Sequence, residues 1–192
     1  MISIYGVTLQ KLEDYFISIG EKKFKAIQVY EWLYKKRVKD FDEMKNVKKE
    51  TIEQLKKDFV FTSLQLVDQK KDIDVSKYLF ELEDHNKIEA VLMNHDYGKS
   101  LCVSTEVGCN MGCKFCESGR LKKVRNLETH EMVEQILKIE ELEGIRISHV
   151  VLMGIGEPFD NYDNVIDFID ILNEGKGIDL GARHITVSTC GL

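Results

Sequence analysis

The sequence has 192 residues, 43% of them hydrophobic and 31% charged, with a formal net charge of −6, which is the composition of an ordinary soluble globular protein. It contains no apolar run near the roughly eighteen residues of a membrane helix, and its first residues lack the basic-then-apolar pattern of a signal peptide. We therefore expect a cytoplasmic protein that does not contact a membrane.

The first 60 residues carry apolar side chains at helical spacing. This spacing predicts helices from Thr8 to Gly20, over 24–37 and from Lys48 to Phe59, with a short turn from Phe41 to Met44. Residues 1–60 are therefore predicted to form a small helical domain.

The spacing then changes from helical to alternating. It predicts strands over Leu64–Asp68, Ser76–Glu83 and Lys87–Met93, and after Gly98 a further strand over Leu101–Ser104. Residues 61–100 are therefore predicted to form a small antiparallel strand extension.

Helices and strands alternate in the rest of the chain. Apolar spacing predicts helices over Thr129–Leu142 and Tyr162–Asn173, and strands buried on both faces over His149–Met153 and His184–Ser188. Such alternation predicts α/β structure with βαβ units on a parallel sheet, here over residues 101–192. Because a sheet of so few strands leaves an open edge, we expect the chain to be the N-terminal part of a longer protein.

Charge is distributed unevenly. Residues 21–49 carry ten Lys and Arg against five Asp and Glu, residues 114–125 carry five against one, and residues 126–179 carry three against thirteen. The two basic regions could contact a nucleic-acid backbone, but solvated lysine-rich faces explain them equally well.

Three of the five cysteines, Cys109, Cys113 and Cys116, have the spacing C-x3-C-x2-C. Three thiolates on a short loop can ligate three corners of a cubic iron–sulfur cluster and leave one iron open. A structural zinc site would require a fourth Cys or His, and none follows in a suitable register. Free or buried thiols are the remaining alternative.

The segment Gly156-Glu157-Pro158 directly follows a predicted parallel strand. Ligand contacts in α/β proteins lie at the carboxyl edge of such strands, where a carboxylate can accept hydrogen bonds from an ammonium group and glycines permit close backbone approach. A tight strand-to-helix turn is the alternative interpretation of the glycines.

The cysteine spacing, with the aromatic Phe115 before the last cysteine, is identified as the signature of the radical S-adenosylmethionine (SAM) superfamily. The segment Gly156-Glu157-Pro158 resembles the amine-binding motif of the same superfamily. The resemblance implies a [4Fe-4S] cluster on Cys109, Cys113 and Cys116, and SAM as the second cofactor. It also implies that the cofactors supply the radical chemistry and the protein the positioning.

Further segments resemble a narrower family, the RlmN/Cfr adenosine methyltransferases that act on RNA. They are 101–109, Arg125-Asn126-Leu127, Met153–Pro158 and Val187-Ser188-Thr189, together with 31–36 and 40–44 in the helical domain. The resemblance implies a partial radical-SAM (β/α) barrel preceded by a helical accessory domain that contacts RNA.

The resemblance also implies a mechanism with two cysteines. One SAM methylates a cysteine near the C-terminus of the protein, and a second SAM yields a radical that activates this methyl group for addition to adenine. Cys102 matches the second cysteine, which resolves the adduct by forming a disulfide. Glu89 matches the proton acceptor, and Ser188 matches a serine that contacts SAM. Each residue also has a purely structural alternative. Cys102 could be a buried cysteine in a strand, Glu89 a solvent-facing charge and Ser188 a hydroxyl at a strand end.

The family resemblance predicts methylation at C2 of adenosine in 23S rRNA, with tRNA as a further candidate substrate. It implies a monomer that receives electrons from a donor such as flavodoxin or ferredoxin. A Cfr-like reaction at C8, a non-catalytic RNA-binding protein and a zinc-binding structural protein are the alternatives. The sequence lacks the methyl-carrying cysteine, and Cys190 does not match its position. Residues 117–124 also depart from the family pattern.

Overall fold

The computed structural model describes all residues from Met1 to Leu192. Its N-terminal part contains three α-helices and a parallel pair of two-residue strands. These elements are α1 (Leu9–Ser18), α2 (Phe24–Tyr34), α3 (Lys49–Asp58), β1 (Ile2–Ser3) and β2 (Phe59–Val60). The three predicted helices are confirmed. The pair β1–β2 was not predicted, because two residues are too few to show a period.

A six-stranded sheet forms the centre of the molecule, in the order β10-β9-β6-β5-β4-β3. Its strands are β3 (Gln65–Lys71), β4 (Val75–Glu81), β5 (Lys87–His95), β6 (Gly98–Cys102), β9 (His149–Leu152) and β10 (Ile185–Val187). Two short strands, β7 (Glu106–Val107) and β8 (Arg125–Asn126), pair outside this sheet.

The sheet is mixed. Strands β6, β9 and β10 are parallel to one another, whereas β3 to β6 form antiparallel pairs. The predicted α/β class with a parallel sheet, a helical N-terminal part and an antiparallel extension is confirmed. The extension and the parallel strands share one sheet, and the domain boundary predicted at residue 100 falls within β6.

Helices α4 (Thr129–Glu143) and α5 (Tyr162–Asn173) follow β8 and β9 in the chain. Their apolar residues join one core with the sheet residues Phe80, Leu101 and Val150. None of the chain's helices is long and apolar enough to span a lipid bilayer.

The opposite side of the sheet carries no helix, and we call it the open face. The strand register aligns Lys77, Val91, Cys102, Val151 and Thr186 in one row across it. The prediction that both later parallel strands are buried on both faces is therefore wrong. In β9 buried residues alternate with half-buried ones, and no residue of β10 is buried, because β10 is an edge strand and the core lies on one side of the sheet.

Candidate active site at the carboxyl edge of the parallel strands

The loops that follow the three parallel strands meet at one edge of the sheet. The amides of Thr105 and Glu106, after β6, donate to the carbonyl oxygen of Ile155, after β9, at 2.9 and 3.1 Å. The amide of Cys190, after β10, donates to Oε2 of Glu157 at 2.7 Å. The edge predicted to bind ligands thus brings together the loops that carry Cys109, Glu157 and Ser188.

The two glycines after β9 are required by close contact with the chain after β6. A Cβ atom on Gly154 would lie 2.5 Å from the carbonyl oxygen of Val103. Gly156 has a φ of +118°, and its Cβ would lie 2.6 Å from Oγ1 of Thr105 and 2.7 Å from Cγ of Glu106. The glycines therefore permit the loop after β9 to pack on the loop after β6. This packing role agrees with the alternative interpretation of the glycines as parts of a tight strand-to-helix turn.

The side chain of Glu157 is buried, with only 3% of the residue exposed. Burial acts to raise its pKa, but hydrogen bonds from the amides of Cys190 and Phe159 lower the pKa overall. Its Oε1 accepts from the Phe159 amide at 3.0 Å, so the carboxylate also caps the short helix over Pro158–Asn161. Glu157 is therefore an ionised carboxylate at the predicted edge, covered by the residues after β10.

The cysteines lie in a loop that is closed at its base. Strand β7 pairs with β8, and the amide of Cys109 donates to the carbonyl oxygen of Leu121 at 2.9 Å. Gly108 has a φ of +75°, and a Cβ there would lie 2.1 Å from the carbonyl oxygen of Lys122. Only glycine permits the two ends of the loop to come this close.

An ion-pair network that includes one fully buried carboxylate supports the base of this cysteine loop. Nζ of Lys123 lies 2.5 Å from Oε1 of Glu106 and 2.6 Å from Oδ2 of Asp160. Glu106 is fully buried, and its Oε2 accepts from the Glu157 amide at 3.0 Å. Lys123 thus connects the cysteine loop to the Glu157 loop. Sequence reasoning missed this network, because it treated Lys123 only as part of a basic run.

Arg125, in β8, connects the base of the cysteine loop to α4 and to the turn between β4 and β5. Its Nη1 and Nη2 each lie 2.7 Å from a different carboxylate oxygen of Glu131 in α4, and its Nε lies 2.6 Å from Oδ2 of Asp84 between β4 and β5. Lys123 and Arg125 are therefore held by carboxylates outside the basic run 114–125, and Arg120 makes a 3.4 Å surface contact with Glu117 inside it. Lys114, Arg120 and Lys122 remain exposed.

The three thiols fit an iron–sulfur cluster better than a single metal ion. Cys109 is buried, and Cys113 and Cys116 are half-buried in a turn closed by a 3.0 Å hydrogen bond from the Cys116 amide to the Cys113 carbonyl oxygen. No three Cys, His, Asp or Glu side chains converge as ligands of one metal ion. Three thiolates match the donor set of a cubic cluster with one open iron, whereas a closed zinc site requires a fourth ligand.

Cys102 and Glu89 both lie on the open face. Cys102 pairs with Val91, two residues from Glu89, and burial raises the pKa of its thiol. The Glu89 carboxylate is partly exposed and lies 2.7 Å from Nζ of Lys77. The structure thus places both residues on one face, in the neighbouring strands β5 and β6, of which β6 leads to the cysteine loop.

Ser188 and Cys190 follow β10 and are exposed. Ser188 donates its amide to the carbonyl oxygen of Leu152 at 3.4 Å, which keeps it beside the end of β9. The hydroxyl of Ser188 makes no hydrogen bond within the chain. It lies at the same edge of the sheet as Glu157.

Comparison with known proteins identifies two family models that together match most of the chain. The model described as "Ribosomal RNA large subunit methyltransferase N-terminal domain" matches residues 2–60, and that of the "Radical SAM superfamily" matches residues 103–192.

Curated relatives are 50% to 56% identical to this chain in sequence. A protein of Listeria welshimeri named "Probable dual-specificity RNA methyltransferase RlmN" is 56% identical over 99% of the chain, and one of the same name from Acholeplasma laidlawii is 50% identical over 98%. The alignments cover 53% and 56% of these relatives, so the chain spans about half of their length.

One solved structure has closely similar architecture. The crystal structure of a radical SAM methyltransferase from Sphaerobacter thermophilus superposes on the whole chain with a TM-score of 0.87 at 35% identity, and the match covers 58% of that protein. The family models, the relatives and this structure agree, and the chain belongs to the RlmN family of the radical SAM superfamily.

Proposed function

We propose that the protein methylates C2 of adenosine in 23S rRNA, with tRNA as a second substrate. In this proposal it uses SAM and a [4Fe-4S] cluster in the cytoplasm, acts as a monomer, and receives electrons from a flavodoxin or ferredoxin. The observation that carries the proposal is the convergence of the cysteine loop, the Glu157 loop and Ser188 at one edge of the sheet, next to the open face that holds Cys102 and Glu89.

Each residue has a distinct role in this proposal. Cys109, Cys113 and Cys116 hold the cluster, which, when bound, supplies the electron and the open iron for cleavage of SAM. Gly156 places Glu157 by letting its loop pack on the cysteine loop. The Glu157 carboxylate accepts hydrogen bonds from the ammonium of SAM, and Ser188 offers a hydroxyl at the same edge.

On the open face, Cys102 acts as the thiol that resolves the protein–RNA adduct, and Glu89 accepts the proton that leaves the adenine. Both roles need a face that a nucleobase can reach, and no helix covers this side of the sheet. Nζ of Lys77 lies 2.7 Å from the Glu89 carboxylate and holds it on the open face.

Glu157 needs one rearrangement to bind an ammonium group. Its Oε2 accepts from the Cys190 amide and little of the residue reaches solvent, so the residues after β10 must move away when SAM binds. The buried amide of Glu157 keeps its bond to Glu106, so the carboxylate stays in place during this change.

Anaerobic reconstitution with iron and sulfide tests the cofactor assignment. We expect the full-length protein to turn brown and its cluster spectrum to change when SAM is added. Cys113→Ser is expected to lose the cluster, whereas the matched control Cys190→Ser is expected to keep it. A colourless protein that binds stoichiometric zinc contradicts the proposal and favours the zinc-binding alternative.

Trapping of the adduct tests the role of Cys102. With Cys102→Ala in the full-length protein, we expect a covalent protein–RNA species that gel electrophoresis resolves, whereas Cys190→Ala is expected to turn over. Free turnover of Cys102→Ala contradicts the resolving role.

Mass spectrometry of the digested RNA distinguishes the two positions of methylation. We expect 2-methyladenosine; 8-methyladenosine would support the Cfr-like alternative. RNA binding without any methylation in the reconstituted full-length protein would support the non-catalytic alternative.

A further inference from the structure

A large cavity lies away from the cysteine edge. Its volume is about 680 Å³, and residues of both the N-terminal helical part and the C-terminal half of α4 line it. We call it the junction cleft. Its walls include Tyr5, Phe61 and Leu137 on the apolar side and Arg37, Arg146 and Glu134 on the polar side. Its size is that of a small-molecule site.

The cations of the junction cleft outnumber their carboxylate partners. Oε2 of Glu140 lies 2.5 Å from Nη2 of Arg37 and 3.1 Å from Nη1 of Arg146, so two guanidinium groups share one carboxylate. Lys39 and Lys138 share Glu141 in the same way. Burial raises the pKa of Glu134 to about 7, which leaves this carboxyl largely uncharged below neutral pH. The cleft therefore carries surplus positive charge.

Arg37 leaves part of its hydrogen-bonding capacity unused. Its Nε and Nη1 are buried from solvent and have no hydrogen-bond partner, and its backbone has a φ of +58°, which is uncommon for a residue other than glycine. Buried unpaired N–H groups cost free energy, and this cost falls when the Arg37 side chain turns toward an oxyanion in the cleft, which a planar guanidinium can bind.

The C-terminal end of α4 forms part of the cleft wall. Gly144 ends α4 at the cleft, and the negative end of the helix dipole disfavours an anion there. Arg146 lies two residues after Gly144, and Arg37 pairs with Glu140 in the last turn of α4, so both cations offset the negative end of this helix. The aromatic pair Tyr5 and Phe61, with ring centroids 5.4 Å apart, forms an apolar wall in the same cleft.

We propose that the junction cleft binds a phosphate group through Arg37 and Arg146, with the attached nucleoside against Tyr5 and Phe61. A free nucleotide and the backbone of an RNA substrate both offer this chemistry. The assignment of the phosphate to an RNA substrate rests on the proposed function, whereas the existence of the phosphate site does not.

Thermal unfolding of the full-length protein in phosphate, with chloride at matched ionic strength as the reference, tests the site. We expect millimolar inorganic phosphate to raise the melting temperature, and AMP to do so at a lower concentration. Arg146→Gln removes a side chain that is 59% exposed, so the fold should tolerate it. We expect this variant to weaken phosphate binding by about tenfold.

Arg37→Lys keeps the charge beside Glu140 but removes the fork, and we expect a similar loss of phosphate affinity. Lys45→Gln removes an exposed cation on the same helical part and is expected to bind phosphate normally. Absence of phosphate-specific stabilisation, or equal stabilisation of all variants, overturns the proposal.

Competition separates the two sources of phosphate. If a short single-stranded RNA displaces AMP from the wild type, and Arg146→Gln weakens both ligands, the cleft accepts RNA phosphate. If AMP binds and RNA does not displace it, the occupant is a free nucleotide. A protein that fails to methylate RNA but shows Arg146-dependent phosphate binding disproves the proposed function while the site stands.

Discussion

Gly156 shows how one residue determines the shape of the candidate site. Its φ of +118° is strained for any L side chain, and the space that a Cβ would need is already filled by Thr105 and Glu106. The amide of the next residue, Glu157, donates to Glu106. The backbone conformation of Gly156 and the position of the Glu157 carboxylate are therefore coupled.

Gly156→Ala is expected to destabilise the protein by about 3 kcal/mol, from backbone strain and overpacking together. Gly20→Ala is the matched control, since Gly20 also has a positive φ, of +77°, but no atom lies within 4 Å of its added Cβ. We expect the control to cost about 1 kcal/mol in urea unfolding. Equal costs for the two variants would show that the contact with Thr105 and Glu106 does not matter.

Glu134 is a buried carboxyl in α4 that accepts a hydrogen bond from Thr62. Burial raises its pKa from 4.5 to about 7. Because the folded state binds the proton more tightly than the unfolded state, the stability that this group contributes is complete below about pH 4.5 and is lost as the pH rises through about 7.

Glu134→Gln should remove this dependence on pH. Relative to the variant, the wild type is expected to lose about 2 kcal/mol of stability between about pH 5.5 and about pH 8. Urea unfolding at both pH values measures the difference. Glu141→Gln on the same helix is the control, because a lowered pKa for Glu141 makes no difference above pH 5.5. If the unfolding free energy of Glu134→Gln changes between the two pH values as much as that of the wild type, the pKa of Glu134 is not raised.

At the scale of elements, the conformation of the cysteine loop depends on the contacts at its base. Two strands of two residues each and one lysine hold it, and the lysine joins two carboxylates that belong to different loops. Breaking a buried ion pair leaves an uncompensated charge, which costs more than the pair itself contributes.

Lys123→Met is expected to cost about 3 kcal/mol in urea unfolding, because Glu106 is fully buried and loses its cation. It should also lower the iron content after reconstitution, since the base of the cysteine loop loosens. The double variant Lys123→Met with Glu106→Gln is expected to recover part of the stability. Lys122→Met, at an exposed neighbouring position, is the control. Stability and iron content equal to those of the control would contradict a supporting role for Lys123.

The sequence predicted those elements whose pattern is local. The helix predicted over Tyr162–Asn173 has these bounds in the structure, because its apolar spacing and its ends are read from neighbouring residues. The pair β7–β8 and the contact of Lys123 with Asp160 could not be predicted in this way. They join residues far apart in sequence, and they depend on how β6 and β9 align.

The candidate site likewise has features that a local sequence pattern predicts and others that depend on contacts between distant residues. The cysteine spacing and Gly156-Glu157-Pro158 predicted which loops matter, and the topology of parallel strands predicted that these loops would share an edge. The burial of Glu157 under Cys190 was not predictable, since no local pattern indicates which backbone amide will cover a carboxylate.

At the scale of the whole molecule, the helical N-terminal part and the sheet share one core. A single cluster of 39 buried residues runs from Ile4 to Leu180. Gly6 lies against α4, where an added Cβ would be 3.2 Å from Cβ of His130. A shared apolar core couples the two parts more strongly than the polar, separable interface usual between domains.

We therefore expect the helical part and the sheet to unfold in one cooperative transition. The single tryptophan, Trp32, lies in α2 with Nζ of Lys36 3.7 Å above its ring, so its fluorescence reports on the helical part alone. Far-ultraviolet circular dichroism reports on all elements. Coincident urea midpoints from the two signals are expected, since coincidence of probes is the mark of a two-state transition.

Ala26, on the same helix as Trp32, offers a sharper test of this coupling. It is fully buried in the shared core, and Ala26→Gly is expected to cost about 1 kcal/mol from helix propensity and lost packing. If the core is shared, both signals shift to lower urea by the same amount. A shift of the fluorescence midpoint alone would show that the helical part unfolds independently of the sheet, and that the junction between them is a separable interface.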